Sequence, residues 1–339
     1  MLVETNKIII ICILTSVFLS IFSKKIAKKF NIFDHPDGSR KFHEGKTALT
    51  GGIIVFFPTF LFLILDLLNF IDQEFKSFQD IKQHVSLILG CSIFFLIGLI
   101  DDIKDLSPNI KIFFFVFVIT VLIFLDEDIN IRIISLSILD YNFSIGSFSY
   151  FWTVICFLLF INALNMFDGI NLQVTIYSLI SILYLILFHS FQNNLLIVVG
   201  FSLICFSVLN YSSKSFLGNS GSYLLGFVLG YMFIKTYNTE NNIYADEIVL
   251  LMIIPGLDLI RLFFSRIIKK RHPFSPDRSH IHHYFLEKYS NTNTFLIISL
   301  IIWVPFFAAK FTGFIFLLLI CQFILYFFLI MKLSKKKNY

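Results

Sequence analysis

Phe314-Ile-Phe-Leu-Leu-Leu-Ile-Cys-Gln-Phe-Ile-Leu-Tyr-Phe-Phe-Leu-Ile-Met331 runs for 18 residues without a charge and with a single amide, Gln322. A helix of that length and polarity crosses a hydrocarbon core. Similar apolar stretches begin near residues 8, 51, 85, 112, 150, 174, 195, 221, 248, 295 and 312. The expected fold is therefore an all-α polytopic membrane protein with about eleven transmembrane helices, forming a single domain over 1–339. Composition agrees: of 339 residues, 57% are hydrophobic and 14% charged, too little polar surface to cover a soluble core. The first stretch lacks a small-residue cleavage site and is followed by lysines, so it is expected to remain as a signal anchor.

Orientation follows from the cations. With the N-terminus outside, segments 23–50, 101–111, 210–220, 265–294 and 332–339 carry 20 of the 27 Lys and Arg residues. Lys7, Lys76, Lys82, Arg132, Lys235 and Lys310 fall on the other side, and Arg261 lies within a span. The richer side is expected to be cytoplasmic. The net charge of +5 is then a topology signal, and no nucleic-acid partner is expected. Cys12, Cys91, Cys156, Cys205 and Cys321 lie in apolar segments without metal-ligand spacing and read as packing residues. The outside loop 126–149 alternates around Tyr141-Asn142 and Gly146, the pattern of a short hairpin. Asp66, near the outer end of its span, is expected to snorkel. Asp258 should bridge to Arg261 along one helix face.

Polar residues collect on the cytoplasmic side. The loop 265–294 contains five basic residues and four histidines within 265–283, including Arg278, His280, His282 and His283. Such donors grip phosphate or pyrophosphate through charge-assisted hydrogen bonds, although a basic loop also serves topology alone. Asp101-Asp102 ends the third span, where adjacent carboxylates need a cation, a proton or a substrate-bound metal to offset their repulsion. A solvated turn is the alternative. Lys111 opens the next span, placed to meet a lipid phosphate. Asn162, Asn165 and Asp168 recur every three residues, which puts them on one helix face, followed by Gly169 and Asn171. Helix capping explains one or two of these residues, but three stacked polar groups favour a ligand. Gly218-Asn219-Ser-Gly221-Ser222 precedes the eighth span, where backbone amides favour an anion; a simple loop and N-cap would look the same.

Five segments, in order and on one face, resemble the polyprenyl-phosphate N-acetylhexosamine-1-phosphate transferases. They are Arg40-Lys41-x-His43 with Gly51-Gly52, Asp101-Asp102-x-x-Asp105, Asn162-x-x-Asn165-x-x-Asp168-Gly169, Phe216-Leu-Gly218-x-x-Gly221-Ser222, and Pro273-Phe-Ser-Pro-Asp277-Arg278-x-His280-Ile-His282-His283. The His-Ile-His-His form resembles the branch acting on undecaprenyl phosphate to start O-antigen and related polysaccharides. The resemblance implies transfer of a sugar 1-phosphate, GlcNAc-1-phosphate by preference, from a UDP-N-acetylhexosamine to undecaprenyl phosphate with release of UMP. It implies a bacterial cytoplasmic (inner) membrane location with the active site facing the cytoplasm, Mg2+ or Mn2+ as cofactor, and allows a homodimer.

On that resemblance Asp101, Asp102, Lys111 and Asp168 are the catalytic candidates. Lys46, Asn162, Gly169, Asn171, Arg278, His280, His282 and His283 would bind substrate, and Asn165, Asp168 and Asn219 would surround the metal. The chain departs from the family pattern at Ala48, where proline is usual, at Leu172, where a small residue is common, and at Asn219, where Asp is usual. A neutral Asn219 leaves open a catalytically weak, lipid-binding relative. A transporter would instead place polar groups near the bilayer midplane.

Overall fold

Each of the eleven apolar stretches forms a helix. In a computed structural model the described residues are 2–34, 45–72, 76–78, 80–139, 141–189, 193–239, 243–273 and 278–334. Arg40, Lys41, His43, Asp277 and the lysines at 335–337 lie outside them. The chain begins with α1 (Leu2–Ile21), which bends by 67° into α2 (Ser23–Phe30). Strands β1 (Phe33–Asp34) and β2 (Thr47–Leu49) lead to α3 (Gly51–Leu67), α4 (Ile81–Lys104) and α5 (Pro108–Leu125). After β3 (Ile133–Ile134) and β4 (Phe143–Ser144) come α6 (Ser149–Phe167), α7 (Gln173–Phe188) and α8 (Asn193–Tyr211). Strand β5 (Ser215–Phe216) opens α9 (Gly218–Thr239), followed by α10 (Ala245–Ile268), the short α11 (Ile281–Leu286), α12 (Asn291–Thr312) and α13 (Ile315–Ser334). Helix ends follow local chemistry: Asp80 caps the Lys82 N–H at 2.9 Å, Pro108 starts α5, and Gly313 ends α12 at φ +76°.

The protein is an all-α polytopic membrane protein. Among the described residues, seven helices are long and apolar enough to cross a bilayer, or eight if the bent α1–α2 pair is one span. The sequence suggested eleven. Two of the remainder, α3 and α7, are shorter apolar helices. The third, α9, is surrounded by protein rather than lipid: it is buried from Ser220 through Thr236 and packs against α3, α4, α6 and α7. A helix enclosed by other helices needs no apolar coat, so it can carry Ser222, Tyr223, Tyr231 and Lys235.

A three-stranded sheet, ordered β1-β2-β5, fastens the start of α3 to the start of α9. Strand β2 pairs antiparallel with β1 and parallel with β5, and Gly52 N–H donates to Leu217 O at 3.1 Å. The hydroxyls of Ser23, Thr50 and Ser215 continue this tie at 2.6 and 2.8 Å. At the other end of the bundle, β3 and β4 form the expected antiparallel hairpin. Asp66 does not snorkel. It is 0% exposed, accepts the Ser77 N–H at 2.9 Å, and lies 3.1 Å from His84 Nε2, because the segment after α3 folds back over it. The Asp258–Arg261 bridge is present at 2.8 Å.

Lys235, 1% exposed, donates to Asp126 Oδ2 at 2.8 Å, and the Tyr231 hydroxyl donates to the same oxygen. Asp128 stands 3.6 Å from the ammonium, and the Phe78 ring lies 4.8 Å from it. Removing one partner of such a buried pair strands the other charge. Lys235→Met should therefore cost about 3–5 kcal/mol, read as a lower Tm in detergent, whereas Lys235→Met with Asp126→Leu should recover most of it. An equal loss in both variants would show that the ion pair is not the source.

Candidate active site at the start of α9

The site is built where α9 begins. A helix N-terminus exposes N–H groups with no intrahelical partner and carries partial positive charge. Asp102, from the last turn of α4, lies across it: Oδ1 accepts the Asn219 N–H at 2.7 Å, and Oδ2 accepts the Ser220 N–H at 3.0 Å and the Ser220 hydroxyl at 2.8 Å. Gly218 has φ +74°, and a Cβ there would fall 2.7 Å from Asp102 Oδ2, so the approach needs glycine. Asp101 points elsewhere, as adjacent positions on a helix must. Its carboxylate, on a residue 2% exposed, accepts from Lys111 Nζ at 3.0 Å, the Tyr223 hydroxyl at 2.8 Å and the Leu106 N–H at 2.8 Å. The Asp-Asp pair is thus divided between a protein cation and a helix end.

The end of α6 brings the second set of groups. Asn165 Nδ2 donates to Asn219 Oδ1 and to Ser222 Oγ, both at 2.8 Å. Asp168 follows at the helix C-cap, half-buried; desolvation, with the nearby Asp102 charge adding to it, raises its carboxyl to about 7. Asn162, one turn before Asn165, donates back to the Leu158 carbonyl of its own helix at 2.8 Å. Asn171 donates to Ser213 Oγ at 2.7 Å, and the Leu172 N–H donates to Asn210 Oδ1 at 2.6 Å. Leu172 has φ +69°. That left-handed backbone brings the Cβ close to the following carbonyl oxygen, a cost that any side chain there must meet.

The histidine segment closes onto this cluster. A Cβ on Gly169 would fall 2.1 Å from His282 Nε2, so the imidazole occupies the space a side chain would need. His282 is buried, and burial, with its His283 and His280 neighbours, holds its pKa well below the usual histidine value. Its Nδ1 has no hydrogen-bond partner among the described residues. The ring stacks on His280 with centroids 5.3 Å apart and lies 4.3 Å from that of His283. Arg278 is half-buried just before them. Lys46 is exposed immediately before β2, which through β5 adjoins the start of α9.

Four residues here were not singled out from the sequence as site groups: Ser220 and Tyr223, which hold the two carboxylates, Asn210, which holds the Leu172 N–H, and Asp258, which holds His280 at 2.9 Å. Ser220 had a signal, an Asn-Ser at a helix start. The others form contacts between distant segments. The donor set suits a hard cation: Asp102 and Asp168 repel each other, each carboxylate oxygen has more than one lone pair, and the Asn165 and Asn219 amides add neutral oxygens. Among the described residues no three His, Cys, Asp or Glu side chains form a metal-holding group, so such a cation needs further oxygens from its ligands.

The sequence pattern of glycosyl transferase family 4 matches residues 84–237, which run from α4 through α9. The chain is 30% identical over 319 residues to an undecaprenyl-phosphate alpha-N-acetylglucosaminyl 1-phosphate transferase of Escherichia coli K12, covering 88% of this chain and 81% of that one. A protein of the same name from Thermotoga maritima is 29% identical over 289 residues, covering 84% and 82%. A Salmonella typhi counterpart is 28% identical over 314 residues. Likeness of that extent, with the matched region containing Asp102, Asn165, Asp168 and Asn219, places the chain in glycosyl transferase family 4 as a sugar-1-phosphate transferase.

Proposed function

We propose that the protein transfers GlcNAc 1-phosphate from UDP-GlcNAc to undecaprenyl phosphate, releasing UMP and starting a cell-surface polysaccharide. What supports this most is the meeting of Asp102, Asp168 and the His280–His283 segment at one helix start, in a chain similar to transferases so named. Another UDP-N-acetylhexosamine is the alternative donor. All eleven apolar helices are taken to cross a bacterial inner membrane, with 265–294 as a cytoplasmic substrate loop. This puts the site where a cytosolic nucleotide sugar and a lipid phosphate meet.

In the reaction an oxygen of the acceptor phosphate attacks the sugar-bearing phosphorus of the donor, and the bond to UMP breaks. Both reactants are anionic, so the task is to bring negative groups together. Mg2+ or Mn2+ would supply charge neutralisation of the phosphate oxygens there. Asp102, Asp168, Asn165 and Asn219 would hold it. Asp101 keeps Lys111 in place, and Lys111 meets the lipid phosphate. Arg278, His280, His282 and His283 bind the donor pyrophosphate and sugar, with Gly169 and Asn171 beside the nucleotide and Lys46 and Asn162 at the margins. Purified protein, undecaprenyl phosphate and a panel of UDP-sugars, with UMP and lipid product measured by mass spectrometry, test the proposal. Lipid binding without product from any donor would favour the binding-only reading.

Asp101→Asn, Asp102→Asn and Asp168→Asn should each lower turnover by at least about a hundredfold with the fold intact, the scale for removing an acid-base or charge-stabilising group. Near-normal rates would remove those roles. Arg278→Ala and His282→Ala should raise the donor KM by about tenfold or more and leave the acceptor KM unchanged; the opposite split would reassign them. The metal requirement should depend on pH with a defined sign. With its carboxyl raised to about 7, Asp168 is protonated below that pH, so protons compete with the metal. Half-saturating Mg2+ should rise up to about tenfold per unit as pH falls from 7 to 6. Asn219→Asp should lower the half-saturating concentration by adding a charged oxygen. Full turnover in EDTA would refute the requirement, and identical metal titrations would remove position 219 from the metal's surroundings.

A further inference from the structure

Asp258 lies in the apolar helix α10, is 5% exposed, and accepts four kinds of donor. Arg261 Nη2 donates to Oδ1 at 2.8 Å, and the Tyr326 hydroxyl of α13 donates to the same oxygen at 2.9 Å. His280 Nδ1 lies 2.9 Å from Oδ2, and the Ile281 N–H, the first of α11, is shared between the two oxygens at 3.2 and 3.3 Å. Arg261 extends the network by donating through Nε to Tyr326 at 2.7 Å and through Nη2 to the Ser279 carbonyl. An i,i+3 ion pair within α10 accounts for Arg261 but not for the other three donors. Those three come from the segment that carries the histidines and from the final helix.

A carboxylate can only accept, so the Asp258 contact requires a hydrogen on His280 Nδ1 and leaves Nε2 as the ring nitrogen that Asp258 does not hold. The Ile281 N–H on the same carboxylate fixes the first turn of α11, and with it the spacing of His280, His282 and His283. We infer that Asp258 is a positioning residue that sets the ring and the backbone of the His280–His283 segment, with Arg261 and Tyr326 holding it from behind. The inference rests on the proposed role of those histidines in donor binding. Its anchoring part can be read without turnover.

Two measurements test it. Hydrogen exchange in purified protein should show Ile281–Leu286 amides opening about tenfold faster in Asp258→Asn, measured against the amides of α6 and α9 in the same sample so that a general loss of stability is separated from local release. Kinetically, Asp258→Asn and His280→Ala should each raise the donor KM by about tenfold, and the double variant should match His280→Ala within about twofold, because one acts through the other. A purely structural ion pair would give additive losses. Additive losses, or unchanged exchange, overturn the inference. If the wild type turns over no UDP-sugar yet exchange is faster in Asp258→Asn, the donor reading falls and the anchoring stands. If Asp258→Asn does not fold, Tyr326→Phe, which removes one hydroxyl from the carboxylate, should give the same pattern more weakly; unchanged exchange there overturns it.

Discussion

The carboxylate of Asp102 on the first amides of α9 is the constraint on which the rest of the site depends. Without it, the N–H groups of Asn219 and Ser220 would open into a half-buried space with no acceptor, which is costly for backbone donors. With it, a negative charge is held by partial positive charge rather than by a protein cation. That difference matters for chemistry. A carboxylate paired with lysine has little left to offer a metal, whereas one held by amides has no protein cation competing for it. Asp101 takes the opposite course, since Lys111 and Tyr223 satisfy it. Two neighbouring residues of one type therefore serve different ends, one orienting a lysine and the other capping a helix start.

The interior position of α9 follows from the same constraint. Its first turn must be reached by α4 through Asp102, by α6 through Asn165, and by α3 and β2 through the small sheet. A helix approached from so many sides is enclosed by protein. Enclosure then permits the polar residues that lower its hydropathy, including Lys235 at its far end, where Asp126 and Tyr231 answer the charge. The same surroundings that assemble one end of α9 thus make a buried ion pair tolerable at the other.

Much of the helical architecture was legible in the sequence, because apolar length reports directly on what a segment can bury. All eleven stretches are helices, and the hairpin of β3 and β4 was visible in its alternation. Hydropathy does not say whether the apolar surroundings are lipid or protein, so α9 counted as an ordinary span. Asp66 was misplaced for a related reason: reading one segment at a time cannot see that the chain around Ser77 and His84 returns to cover a carboxylate. The site was legible as a set of clusters at one end. What the sequence lacked were the pairings. Nothing in Asp101-Asp102 says which residue faces Lys111, and nothing near His280 points to Asp258, 22 positions earlier.

Charge balance links these observations. At the start of α9 the described groups comprise two desolvated carboxylates that repel each other, neutral amides at Asn165 and Asn219, and a buried His282 biased toward its uncharged form. Such a set is poorly suited to receive two phosphate-bearing substrates unaided, because the negative charges would add. A divalent cation held at Asp102 and Asp168 would, on the proposed reading, supply the missing positive charge, and the neutral Asn219 would leave more of its binding to those two carboxylates. On the proposed reading the cationic groups, Lys111 on Asp101 and Arg278 beside the histidines, flank this centre rather than fill it. On that reading the centre would hold the neutralising charge and the rim the gripping charge, so that each substrate would have its own cation.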